Sequence, residues 1–102
     1  MLLKVLDRIT LLGILPAQGD FTTLKIVRKL REDLSFSEIE HKTLGITQVD
    51  NRITWNPEAD QGKEITIGEK ATDVVVASLK ELDKQKKLTD QHYGLYEKFV
   101  EK

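Results

Sequence analysis

The chain has 102 residues, 39% apolar and 32% charged, which describes one ordinary globular domain over residues 1–102 and argues against a disordered or membrane-spanning chain. Sixteen basic against seventeen acidic residues leave a net charge of −1, so no whole-chain field draws in nucleic acid. The absence of cysteine excludes disulfides, thiolate catalysis, zinc fingers and iron–sulfur ligation together.

Leu2, Leu3, Val5, Leu6, Ile9, Leu12 and Ile14 fall on one helical face, with room for a short extended start. Leu11 and Leu15 widen that face, so the helix is expected to be buried on more than one side or to lie against a partner chain. Lys4, Asp7 and Arg8 interrupt the stretch and no small-residue cleavage site follows, so it does not read as a signal peptide. The expected location is cytoplasmic. Pro16 to Gly19 ends the element.

Asp20 is placed as the N-cap of a second helix running to about Asp33. Leu24, Val27, Leu30 and Leu34 form its inner seam, with Phe21 and Ile26 alongside. Ser35-Phe36-Ser37-Glu38 has the form of a capping box and opens a short third helix through Glu40 to about Thr43, stopped at Gly45. Ile46–Val49 and Arg52–Trp55 flank Asp50-Asn51, a hairpin signal. Asn56 to Gly62 is a loop, and Lys63 to Ile67 is expected as the third strand of one small sheet.

Ile65-Thr66-Ile67 alternates at the strand period, and from Glu69 the period changes. Ala71, Val75, Leu79 and Leu82, with Val74, make one wide apolar face of a central helix. Asp83 to Lys87 is a polar bend. Thr89 or Asp90 caps a last helix to Val100, with His92, Leu95, Tyr96 and Phe99 on its stripe. Gly94 is expected to mark a close helix–helix approach.

Chemistry is sparse along the chain. His41 and His92 have neither a serine nucleophile signature nor a second histidine to build a metal set, so catalysis and metal binding are not expected. Glu32, Asp33, Glu38, Glu40, Glu58 and Asp60 fall in polar segments and read as solvated caps and faces, not as an acid/base pair held in a cleft. Gly68 stands where a strand becomes a helix, a point at which backbone N–H groups can bind an anion, and Lys70 and Thr72 are placed to assist. Lys25 and Arg28 are the nearby cations chosen to complete a ligand site of Gly68, Lys70, Thr72, Arg28 and Lys25. Lys25, Arg28, Lys29 and Arg31 also offer an alternative use as a nucleic-acid-binding face, although Glu32 and Asp33 interrupt it. The apolar first and last helices either cover each other within the domain or form a homo-oligomer interface.

The runs Ile9-Thr10-Leu11-Leu12-Gly13-Ile14-Leu15-Pro16, Gly19-Asp20-Phe21, Thr23-Leu24-Lys25, Leu34-Ser35-Phe36-Ser37-Glu38 and Leu95-Tyr96-Glu97-Lys98-Phe99 resemble small uncharacterised proteins of bacteriophages and prophages. These are structural residues, and the resemblance implies a class of roles only: virion or assembly accessories, regulators, or inhibitors of host defence acting by binding, in the host cytoplasm. The combined expectation is an α+β domain, about four to five helices packed on a small three-stranded antiparallel sheet. Its expected function is non-enzymatic, with no cofactor, no metal and no membrane. Such a protein would self-associate and sequester or block a partner protein or a small anionic ligand such as a nucleotide.

Overall fold

Four of five helices surround one apolar cluster, with two small antiparallel sheets at their margin, in a structure (a computed structural model) that describes residues 1–101. The order is β1 (Leu2–Leu3), α1 (Val5–Ile14), α2 (Phe21–Leu34), α3 (Glu38–Leu44), β2 (Thr47–Val49) and β3 (Arg52–Thr54). A 3-10 turn (Pro57–Ala59), β4 (Lys63–Glu64), α4 (Glu69–Lys84), α5 (Asp90–Tyr96) and a π turn (Glu97–Glu101) follow. The fold is α+β, as the alternating periods suggested.

The core is built from the apolar faces of four helices. Leu11, Leu15, Val27, Leu30, Leu34, Val75, Leu79, Leu95 and Phe99 are all buried in one cluster, joined by Leu3 and Ile65. Helices α1, α2 and α4 pack on one another, and α5 packs on α1. Each fully buried leucine contributes roughly 1.5–3 kcal/mol by leaving water. The first and last helices therefore pack together inside one chain, with Leu6 of α1 and Tyr93 of α5 left exposed. Phe21 was expected beside the seam of α2, yet it is 82% exposed; its helical position is opposite Leu30 and Leu34.

The sheet differs from the single three-stranded one expected. β2 pairs only with β3, in the register Thr47↔Thr54, Gln48↔Ile53 and Val49↔Arg52, and all six residues are exposed. The hairpin's Val49 and Ile53 stay in water, 62% and 41% exposed, and no third strand covers them among the described residues. β4 instead pairs with β1, Leu2 opposite Glu64 and Leu3 opposite Lys63, and the Ile65 N–H continues to the Met1 carbonyl at 2.9 Å. That pairing places Leu3 and Ile65 in the core. Gly62 makes the closure possible: its φ is +83°, and a Cβ there would stand 3.1 Å from the Leu2 side chain.

The caps explain where the helices begin. Asp20 accepts from the Thr23 N–H at 2.7 Å, as its position predicted, and this bond holds its carboxyl below the usual carboxylate range. The capping box of α3 is two residues later than expected: Ser37, not Ser35, is the N-cap, exchanging bonds with Glu40. Ser35 instead finishes α2, with its hydroxyl on the Arg31 carbonyl. Gly45 ends α3 in the left-handed conformation (φ +62°), as expected. Asp60, from the loop after the hairpin, reaches across the chain to accept from the Val5 N–H and so starts α1. His92 lies partly buried on α5, where its Nδ1 accepts from the Thr89 N–H at 3.0 Å. Gly94 has open space around it and marks no close approach.

Candidate functional site

Two regions hold polar groups in unusual settings, one inside the protein and one at its surface. The inner one centres on Arg8, which is 2% exposed in the middle of the apolar face of α1. Its Nε donates to the Leu34 carbonyl at 3.1 Å and its Nη2 to the Ser35 carbonyl at 2.6 Å. Its Nη1 pairs with Glu40 Oε2 at 2.5 Å, and Phe36 lies with its ring centroid 4.0 Å from the guanidinium carbon. The Arg8 bond holds the Glu40 carboxyl at about 2, well below its ordinary value of 4.5. Lys63 adds a longer contact to Glu40, at 3.6 Å. The bonds of Arg8 to the Leu34 and Ser35 carbonyls and to Glu40 tie α1, the end of α2 and α3 together. The charge of Arg8 amid leucines at the helical spacing was its sequence signal: a cation on a core face must carry its partners with it.

The surface region is a groove of about 670 Å³ between α2 and the start of α4. α2 contributes Lys25, Ile26, Lys29, Leu30 and Asp33; the extended chain contributes Thr66 and Ile67; and Gly68 to Ala71 closes it. Helical spacing puts Lys25, Lys29 and Asp33 on one edge of α2, one turn apart, and Lys29 pairs with Asp33 at 3.2 Å. Ile26, Leu30, Ile67 and Ala71 make an apolar floor and pack against the core.

Gly68 is the N-cap of α4, with φ −67° and ψ 168°, and carries no side chain to accept from the first-turn N–H groups. Nothing lies within 4 Å of where its Cβ would be, so neither backbone nor space requires glycine there. The first turn of a sixteen-residue helix is thus left without a side-chain cap, and its residues Gly68 to Ala71 line the groove. Lys25 and Lys70 take part in no ion pair among the described residues. Glu69, in the first helical turn, is the opposing charge.

Of the residues singled out in the sequence, the fold brings Lys25, Gly68 and Lys70 to this groove. Thr72 stands one turn into α4, its N–H bonded to the Gly68 carbonyl at 2.8 Å, and does not line it. Arg28 lies on the other flank of α2, where it lines a separate hollow with Phe21, Leu24 and Arg31. Sequence reasoning missed the floor of Ile26, Leu30, Ile67 and Ala71, because the pairing of α2 with the 66–71 segment is a long-range contact. Of the basic residues of α2, Lys25, Arg28 and Arg31 edge that second hollow, while Lys29 lines the groove with Lys25, so Lys25 stands between the two.

Neither histidine joins the groove: His41 is exposed, edge-on to Phe36 at 6.2 Å. Among the described residues no group of three or more His, Cys, Asp or Glu is placed to hold a metal ion, and no helix is long and apolar enough to cross a membrane. Compared with known proteins, the chain matches no family model, no curated relative and no solved structure.

Proposed function

We propose that the protein is a non-enzymatic binding protein that captures a small anionic ligand, of nucleotide type, in the groove between α2 and α4. One observation carries the reading: an uncapped helix start and two unpaired lysines meet over an apolar floor. The backbone N–H groups of the first turn would bind the anionic group, and Lys25 and Lys70 would neutralise it from two sides. Ile26, Leu30, Ile67 and Ala71 would hold the ring or chain attached to it. Asp33 and Glu69 also line the groove, with Asp33 paired to Lys29, and the role assigned to the site is retention of the ligand. Together with the resemblance to small phage proteins, this supports an accessory role in the host cytoplasm, sequestering a ligand or blocking a partner. Self-association belongs to the same proposal, since Ile39, Val49 and Tyr93 remain exposed on the single chain.

Native mass spectrometry of freshly purified protein, followed by the same sample denatured, tests this directly. Extra mass that vanishes on denaturation names the ligand class, and a multimer shows the second copy. Titration calorimetry with adenosine triphosphate and pyrophosphate should then show saturable binding that Lys25→Ala and Lys70→Ala each weaken by about tenfold. Binding that is absent, or unchanged in both variants, rules the groove out.

A further inference from the structure

The opposite flank of α2 carries an arrangement of which the anion groove uses only Lys25. Phe21 is 82% exposed and Leu24 is 38% exposed, and they line a hollow of about 840 Å³ with Pro16, Ala17 and Val27. Lys25, Arg28 and Arg31 edge the same hollow. None of the three cations takes part in an ion pair among the described residues, although α2 itself supplies Glu32 and Asp33 nearby. An exposed phenylalanine gains nothing for a lone chain by facing water, whereas burial against a partner would recover its apolar transfer energy. Helical spacing (21, 24, 28, 31) lays the two apolar anchors and the two arginines along one stripe.

We propose that this stripe is a docking surface for an acidic amphipathic segment of another protein. Its apolar side chains would cover Phe21 and Leu24, while its carboxylates would pair with Arg28, Arg31 and Lys25. Charge complementarity selects the partner: the hollow presents three cations around an apolar centre and lines itself with no carboxylate. A nucleic acid fits less well. Its regularly spaced phosphates would run past Phe21 and Leu24 towards the carboxylates of Asp20 at one end of α2 and Glu32 at the other. Arg suits this use better than Lys, because its planar fork holds a carboxylate by two parallel bonds.

The test is fluorescence anisotropy with a labelled helical peptide of about 14 residues carrying Leu and Phe on one face and Glu on the other. A scrambled peptide of the same composition, polyglutamate, and single- and double-stranded DNA serve as comparisons. The amphipathic peptide should bind at least about tenfold more tightly than the scramble. Phe21→Ser and the pair Arg28→Glu with Arg31→Glu should each remove that preference. Circular dichroism should show both variants folded, because all the altered side chains are exposed. Lys70→Ala should leave peptide binding unchanged, which separates this surface from the anion groove. Equal binding of scramble or polyglutamate, tighter binding of DNA, or no binding at all overturns the proposal. So does a homodimer in sedimentation that Phe21→Ser dissociates, since a second copy would then be the occupant.

Discussion

At the scale of single residues, Arg8 shows how a charge can sit inside an apolar core. The guanidinium is removed from water, and the cost is offset only because two carbonyls, a carboxylate and an aromatic face surround it. Truncating it leaves those acceptors without a donor, so Arg8→Ala should lower stability by about 3 kcal/mol in urea unfolding. Glu40, held at about 2 in the folded protein against an ordinary 4.5, binds fewer protons folded than unfolded in between. Its contribution is therefore complete above pH 4.5 and is lost as pH falls towards 2. The stability difference between the natural protein and Glu40→Gln should shrink across that window, and a constant difference would show that the pair carries no linkage. Thr10 is the converse case: its buried hydroxyl has no partner, so Thr10→Val should leave stability unchanged or raise it by up to about 1 kcal/mol. A clear loss would mean that the hydroxyl is bonded after all.

At the scale of elements, the helices and the β2–β3 hairpin were legible in the sequence and the pairing of β4 was not. Asp20, Gly45 and the Ala71–Val75–Leu79 seam act locally, within a turn or two, and each stands where the period placed it. The capping box slipped by two residues because both Ser35 and Ser37 have a glutamate three positions on. Only the packing of α2, with Ser35 closing it, decides between them. The third strand was misassigned for a longer-range reason. Its sequence pattern states that it is extended and says nothing about which edge it meets, and pairing with Leu2–Leu3 is what carries Leu3 and Ile65 into the core. Gly62 is the hinge of that closure. Gly62→Ala combines a strained φ with a contact against Leu2 and should cost about 1–3 kcal/mol, read as a lowered thermal midpoint. An unchanged midpoint would mean that the β1–β4 pair adds little to the fold.

At the scale of the whole molecule, α2 divides the work. Its inner face holds Val27, Leu30 and Leu34 in the core, and its two flanks carry unpaired cations beside apolar hollows. Half of the α2–α4 groove was legible: the helix start at Gly68 and the lysine spacing of α2 are both local patterns, although β4 ends at Glu64 and not at Ile67 as expected. Their meeting across the molecule, and the separation of Arg28 from Lys25's groove partners, depend on how α2 crosses α4. Under the proposed function, Gly68 trades stability for binding. Since a side chain fits there, Gly68→Asp would cap α4 from within the chain and gain a few tenths of a kcal/mol, while placing a carboxylate where the proposed ligand's anion would sit.

The most direct measurement is a nitrogen–proton correlation spectrum of the labelled protein titrated with adenosine triphosphate, for the natural sequence and for Gly68→Asp. Capture in the groove predicts saturable shifts confined to the amides of residues 68–71 and 25–30, absent in Gly68→Asp although that variant is at least as stable. Shifts spread evenly over the surface lysines, or identical shifts in the variant, would contradict an anion site at the start of α4.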